Sequence, residues 1–433
     1  MTEFDTRRPV TPLGAIQRGP SCGLVIFDDP QERRAGTAYL PEALPQRIRS
    51  MNDLRTDMVW VANVPDRDIS SAHPGLRATD YFGASLADIA YDLGLSYSRG
   101  YPLTAQEGVA VATILSRAMT IALRTYGWDA DGSEASFEGD TLAEEIATGM
   151  RLRPAVVASG DAMASRLGHA TQDRSVPNWP FEQHDAVVPV TLRFNRLAYA
   201  RQLLAQEVPA GTDWVEISKA PRVGGLPAIA NVSIDWSDAD PDLAALAAFG
   251  QTGKRKQQLR LWASGPELAW LSRICRPSVS TAWINANGYV GLPAELKLPV
   301  PLAVRSQLTM SYAAGLVGYS HLRAVLSIEC SQGSKGRAAS AIGAWLHAYD
   351  RGLMFSVARR AHESGFHVRW YGNGEIRLSV REDQIDALTA FRLEEGFMYP
   401  AVASLELGTQ SASADEEWST GVTEATYGTE SAG

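Results

Sequence analysis

The chain has 433 residues, of which 45% are hydrophobic and 21% are charged. This composition is typical of a globular protein with sizeable cores and excludes a disordered chain. The formal net charge is −9, whereas a domain that holds nucleic acid through many phosphates usually carries a basic excess. The charge therefore argues against broad phosphate binding and leaves room only for a local basic patch.

The cysteines and the apolar stretches bear on where the protein works. Cys22, Cys275 and Cys330 lie far apart, so they predict neither a disulfide framework nor a zinc-binding pair and favour a reducing, cytoplasmic compartment. The N-terminus lacks the apolar core of a signal peptide. The most apolar stretch, 109–123, is interrupted by a serine and an arginine and is too short to span a membrane, so we expect no membrane partner.

Stretches rich in proline, glycine and polar residues divide the chain into four predicted parts. Residues 1–22 form an extended N-terminal arm, 23–171 a helix-rich subdomain, 186–407 a mixed α/β subdomain, and 408–433 an acidic low-complexity tail. The predicted fold class is α+β. We expect a predominantly helical body with short strands and a C-terminal helix–hairpin–helix block.

The first half is predicted to begin with two strands that are followed by helices. Stretches 23–27 and 57–64 are rich in β-branched and aromatic residues, which is typical of strands. Thr104 and Glu107 have the spacing of a capping box, and the apolar residues after them repeat at helical spacing. A long amphipathic helix is therefore expected after Thr104.

The second half is predicted to mix short strands and helices beyond a polar, proline-containing stretch at 172–185. The expected strands are 187–194, 213–217, 228–236 and 258–263, and the expected helices are 195–206 and 240–249.

The last predicted block is a long helix, a hairpin and a short helix. Apolar residues of 337–364 fall on one helical face, and Gly365 is placed to end that helix. Strict alternation on both sides of 372–374, a Gly-Asn-Gly turn, predicts a two-stranded hairpin. A short helix over 383–395 is expected to close the block.

Two glycine-rich basic loops are candidates for phosphate contact. Lys254, Arg255 and Lys256 follow a Thr-Gly pair, but the loop lacks the early glycine and the final hydroxyl residue of a P-loop. Lys335 and Arg337 stand before a predicted helix, whose N-terminus attracts anions. The alternative for both loops is an ordinary solvated surface.

The hairpin carries the most concentrated basic surface that local geometry predicts. Side chains two residues apart on a strand share a face, which groups His367, Arg369, Arg377 and Arg381, with Glu375 as a partial counter-charge. This face is either a solvated surface with ion pairs or a contact surface for nucleic acid.

No motif in the sequence identifies a chemical reaction. The acidic loop at 129–134 lacks the spacing of a calcium loop, and the loop at 235–242 offers four carboxylates, of which Asp240 is more simply a helix cap. The seven histidines form no zinc-binding pair. Neither a nucleophile elbow nor a dinucleotide-binding glycine motif is present. We therefore predict no cofactor, no metal and no catalytic residue, although an active site built from scattered residues leaves no such motif.

Three functions remain in competition. The leading hypothesis is a structural, self-assembling homo-oligomer, a viral capsid (coat) protein forming a virion shell around a double-stranded RNA or other nucleic-acid genome. It rests on the missing catalytic motifs, on the arm, and on Trp418, Val422 and Tyr427, which we interpret as tail anchors for a neighbouring copy. The acidic body would hold a genome loosely. The alternatives are a nucleic-acid-binding or processing protein that uses the arginine hairpin, and an enzyme with a scattered active site.

Overall fold

The computed structural model describes residues 22–126, 161–170 and 176–398. These ranges contain short gaps, among them 65–72, 248–257, 300–306 and 332–336. The described chain contains both helices and strands, which is consistent with the predicted α+β class. The predicted arm up to residue 21 and the predicted tail lie outside the described residues.

A five-stranded sheet opens the chain. Its strands are β1 (Cys22–Phe27), β2 (Gly36–Tyr39), β3 (Gln46–Ile48), β4 (Val59–Ala62) and β5 (Leu76–Ala78). They lie in the order β3-β2-β1-β4-β5, with β1, β4 and β5 parallel and β2 and β3 antiparallel to their neighbours. The first two predicted strands are confirmed as β1 and β4. Both are central and buried, as continuous apolar runs in parallel strands should be.

A long buried helix covers this sheet. After the short helix α1 (Leu86–Asp92), helix α2 (Ala105–Thr125) begins at the predicted capping box, where Thr104 N donates to Glu107 Oε2 at 2.8 Å. By length and composition α2 could cross a membrane, but 56% of its apolar window is buried inside the protein. It packs between β1 and the later helix α7 (Gln307–Leu326), as a core helix does.

The middle of the chain forms a second, antiparallel sheet. The elements of this region are α3 (Asp161–Ala170), β6 (Val187–Arg193), α4 (Arg196–Leu204), β7 (Val208–Pro209), β8 (Trp214–Ile217), β9 (Ala228–Asp235), α5 (Pro241–Ala247), β10 (Gln258–Ser264), α6 (Gly265–Leu271), β11 (Ser278–Asn285) and β12 (Tyr289–Val290). The strands of the antiparallel sheet lie in the order β10-β9-β11-β8, and β7 pairs separately with β12.

The long C-terminal helix begins later than its apolar pattern predicts. After α7 come β13 (Glu329–Ser331), β14 (Arg337–Ala339) and then helix α8 (Ala341–Glu363). The predicted start at 337 is wrong, because Ser340 caps the helix by accepting a hydrogen bond from Gly343 N at 2.9 Å. Helix α8 is the centre of the largest core, where Trp345 is fully buried and contributes about 3 kcal/mol.

A three-stranded antiparallel sheet joins the last part of the chain to the middle. Strands β15 (His367–Gly372) and β16 (Glu375–Arg381) form a hairpin, and helix α9 (Ile385–Glu395) follows. Strand β16 also pairs along its whole length with β6, giving the order β15-β16-β6. A separate helix–hairpin–helix block is therefore not confirmed, because the hairpin is completed by a strand from far away in the sequence.

Candidate functional site

The predicted site residues are found in different parts of the molecule. Arg337 begins β14, and Arg369, Arg377 and Arg381 lie on the β15–β16 hairpin. The remaining predicted contacts and anchors fall outside the described residues: Lys254, Arg255, Lys256, Lys335, Trp418, Val422 and Tyr427. Most of the predicted site residues that the structure describes therefore lie on the hairpin.

A β-bulge changes the face that the sequence predicts for β15. The register shifts between Val368 and Trp370, which leaves Arg369 as the extra residue. A bulge displaces the alternation by one residue. Consequently Trp370 pairs with Arg377, while Val368 and Tyr371 are buried in the core. Strict alternation would have placed Tyr371, and not Trp370, on the polar face.

Three arginines converge on Glu375 at the start of β16. Arg193 Nε donates to Glu375 Oε2 at 3.1 Å, and Arg377 Nη2 donates to Oε1 at 3.2 Å. Arg196 Nη2 lies 3.9 Å from Oε2. The side chains of Glu375, Arg193 and Arg196 expose 12%, 11% and 10% of their surface, against 29% for Arg377. Arg377 is thus the most accessible member of this cluster.

Backbone geometry explains why these residues meet. Arg193, the last residue of β6, stands opposite Glu375 in the β6–β16 pair. Asn195 then caps α4 by accepting from Ala198 N at 2.9 Å, which places Arg196 in the first turn. The chain therefore brings two arginines to the open end of β16 within four residues of sequence.

Two aromatic rings extend the cluster on either side. The guanidinium of Arg377 lies 4.9 Å from the ring centroid of Trp370, and that of Arg196 lies 4.1 Å from Tyr319 on α7. Arg323 stacks on the same tyrosine at 5.4 Å and donates to its hydroxyl oxygen at 3.2 Å. Such stacking holds a weakly hydrated guanidinium flat against the ring.

A glycine lets α7 approach closely enough for this stacking. A Cβ atom at Gly318 would lie 2.8 Å from the backbone of Arg196 and Leu197, closer than real Cβ atoms come. The absence of a side chain therefore allows Tyr319 to reach the guanidinium of Arg196. We call the whole surface the arginine–aromatic face, and its members are Arg193, Arg196, Tyr319, Arg323, Trp370, Glu375 and Arg377.

Electrostatics keep the central acid ionised. Burial by itself raises the pKa of Glu375, but the guanidinium groups of Arg193, Arg196 and Arg377 together outweigh that effect and hold the pKa below its ordinary value. Glu375 is therefore a carboxylate at neutral pH and fixes the positions of three positive charges around it.

A second carboxylate lies behind the same hairpin turn. Asp350 of α8 is buried, and its Oδ1 accepts from the Tyr199 hydroxyl at 2.5 Å while its Oδ2 accepts from Asn373 N at 2.8 Å. Asn373 and Gly374 have φ values of 51° and 74°, the left-handed pair of a tight hairpin turn. Burial raises the pKa of Asp350 in spite of these hydrogen bonds. This carboxylate fixes the backbone at the tip of the hairpin.

Arg381, by contrast, does not reach the arginine–aromatic face. It lies at the opposite end of β16 and donates to Asp383 Oδ1 at 3.0 Å. Both side chains are exposed, at 52% and 70%, so this ion pair is an ordinary solvated one. The structure thus joins Arg377 to Arg193, Arg196 and Arg323, none of which the sequence had singled out.

Within the described residues, no group of three or more His, Cys, Asp or Glu side chains comes together in a way that could hold a metal ion.

Comparisons with known proteins give a weak likeness. No family model and no curated protein matches the chain. Phi29 DNA polymerase with primer-template DNA and incoming nucleotides is 10% identical, with a TM-score of 0.42 over 83% of this chain and 81% of that chain. The complex of that polymerase with single-stranded DNA has the same identity and TM-score over 83% and 80%. TM-scores this low do not establish a shared fold.

The prediction of a capsid (coat) protein is nevertheless wrong. The solved structures that the chain is similar to are those of a nucleic-acid-processing enzyme and not of shell proteins, and nothing in them supports the predicted homo-oligomer. The prediction took the lack of catalytic motifs as evidence that the protein is a structural subunit of a shell. That inference fails physically, because functional sites are often assembled from residues far apart in the sequence and leave no contiguous motif.

Proposed function

We propose that the protein binds nucleic acid and that the arginine–aromatic face is its contact surface. The observation that supports this most directly is the convergence of four guanidinium groups and two aromatic rings on one corner of the molecule. This proposal retains the hairpin residue Arg377 and adds partners from β6, α4 and α7.

The charge of the face supports an anionic ligand. The face brings four arginines together around one carboxylate of its own, Glu375, whereas the whole chain carries a net charge of −9. A local positive region on an acidic protein concentrates an anionic ligand at one place. Guanidinium groups suit phosphate in particular, because their planar fork can donate two parallel hydrogen bonds to its oxygens.

Preorganisation strengthens this argument. Glu375 holds Arg193, Arg196 and Arg377 from one side, and the rings of Trp370 and Tyr319 hold guanidinium groups from the other. A long side chain that is already ordered loses less conformational entropy when it binds a ligand. The face is therefore better prepared for phosphate than a set of freely moving surface arginines would be.

Fluorescence anisotropy with a labelled oligonucleotide of mixed sequence tests the proposal. We expect the intact chain to bind with an affinity that falls as salt rises. The double variant Arg196→Ala/Arg377→Ala should lower the slope of that dependence by about 1.5, since each neutralised phosphate contributes about 0.7–0.9. Its affinity at low salt should fall at least tenfold.

A matched control separates the effect of this face from that of a general loss of positive charge. Arg47 pairs with Asp28 and Arg359 pairs with Glu363, and the side chains of both pairs are exposed. The double variant Arg47→Ala/Arg359→Ala removes the same charge and should keep both affinity and salt slope. An intact chain that does not bind, or equal losses in the two double variants, would contradict the proposal.

A further inference from the structure

We infer that the nucleic acid bound by this face is single-stranded and that its bases stack on Trp370 and Tyr319. The inference rests on the proposed function and names its ligand class. It is carried by the position of the two rings, which are only partly buried although each is held by an arginine.

Partly exposed rings are useful to a single strand and not to a duplex. In a duplex the flat faces of the bases are stacked on one another and cannot reach a protein surface without being opened. In a single strand they are available, and aromatic side chains bind them with little preference for sequence. Trp370 on β15 and Tyr319 on α7 therefore offer contacts that only an unpaired strand can use.

The face holds partners for both the bases and the phosphates of a single strand. Contacts run in order from Trp370 to Arg377, through Glu375 to Arg196, and on to Tyr319 and Arg323. Two guanidinium groups, those of Arg377 and Arg196, thus lie between the two rings along this line of contacts. A strand that crosses the face can place a base against a ring and its phosphates against the arginines.

The charge balance points the same way. A duplex carries one negative charge per about 1.7 Å of its length, twice the density of one strand. The face supplies four guanidinium groups on a chain whose net charge is −9. Beyond the face, repulsion from the acidic body is stronger for a duplex than for one strand.

The experiment compares three ligands of equal length by competition against a labelled single strand. They are the unlabelled single strand, its duplex, and an abasic strand that keeps the phosphates and lacks the bases. We expect the single strand to compete at least tenfold better than the other two, since stacking contributes about 5- to 150-fold per base. Equal competition by the abasic strand would overturn the inference, whatever any variant does.

Ring variants then locate the stacking. Trp370→Leu and Tyr319→Leu should each weaken single-strand binding about tenfold and weaken duplex binding clearly less, while Trp370→Phe should keep most of the affinity. Trp262, which lies 5.1 Å from the guanidinium of Arg166 elsewhere in the molecule, is the matched control. Trp262→Leu should not change binding, and circular dichroism should confirm that each variant is folded.

The outcomes distinguish this inference from the proposed function. If single strand and duplex bind equally and Trp370→Leu has no effect, the ligand class is wrong, but the arginine variants can still support nucleic-acid binding. If none of the three ligands binds, the proposed function fails as well.

Discussion

The hairpin turn at Asn373 and Gly374 separates two buried carboxylates in opposite surroundings. Glu375 faces three guanidinium groups, which hold its pKa below the ordinary value although burial acts in the other direction. Asp350 faces a hydroxyl and backbone N–H groups, and burial raises its pKa. Glu375 thus fixes the positions of three guanidinium groups, and Asp350 fixes the backbone of the turn. The same functional group, a carboxylate, performs two tasks in two settings because its nearest hydrogen-bond donors differ.

The largest effect is expected from removing the inner carboxylate. Asp350→Ala leaves the Tyr199 hydroxyl and Asn373 N without their acceptor in a buried site. We expect the free energy of unfolding to fall by about 3 kcal/mol, because each buried donor without a partner costs about 1–3 kcal/mol. Urea denaturation measures this loss. Tyr199→Phe, which removes one donor together with its need for an acceptor, should cost clearly less, and equal losses would contradict this account.

A smaller loss is expected at the outer carboxylate. Glu375→Gln keeps the shape of the side chain and removes the charge that three guanidinium groups share. We expect a loss of about 1–2 kcal/mol at neutral pH, since the arginines remain partly in contact with water. Urea denaturation again measures the loss. The control is Glu363→Gln, which removes the charge of an exposed ion pair on α8. A Glu375 loss no larger than that of the control would remove the distinction between the two sites.

The pH dependence should have opposite signs at the two carboxylates. The lowered pKa of Glu375 means that its contribution to stability is present above the unfolded-state pKa and is lost as pH falls through the folded-state pKa. The raised pKa of Asp350 means that its contribution is present below the unfolded-state pKa and is lost as pH rises through the folded-state pKa.

Two variants measured at several pH values test these signs. Going from neutral to acidic pH, the stability advantage of the intact chain over Glu375→Gln should shrink, and its advantage over Asp350→Asn should grow. Unfolding curves across the carboxyl range measure both differences. Parallel changes in the two differences would show that the two sites do not differ electrostatically.

The smallest effect is expected at the far end of β16. Arg381→Ala breaks an exposed ion pair with Asp383, and such pairs contribute about 0–1 kcal/mol. We expect a change in the free energy of unfolding of less than about 0.5 kcal/mol and no change in oligonucleotide binding. A loss of binding comparable to that of Arg377→Ala would extend the contact surface along the whole strand and contradict its present boundary.

Local elements were predictable from the sequence because their causes are local. The capping box at Thr104 and Glu107, the stop at Gly365 and the hairpin around Asn373 depend on neighbouring residues, and all three are present. The start of α8 was missed because its apolar spacing continues past the cap at Ser340. Apolar spacing alone cannot show where a backbone turns out of a helix.

The candidate site was predictable only in part because it is built from distant pieces. Arg377 could be found from the hairpin pattern, but a single sequence does not show that β6 pairs with β16 and brings Arg193 and Arg196 to Glu375. The bulge at Arg369 has no local signal either, although it decides that Trp370 lies beside Arg377. The spacing of Tyr319 and Arg323, one helical turn apart, was the one signal that could have indicated a stacked pair.

The pairing of β6 with β16 also has a consequence for the order of folding. Arg193 and Glu375 are separated by 182 residues, so their contact closes one of the long loops of the chain. During synthesis Arg193 and Arg196 leave the ribosome well before the hairpin exists, and contacts of such range form late. The surface is completed only after the hairpin has emerged, so nascent chains that end before the hairpin should lack the assembled face.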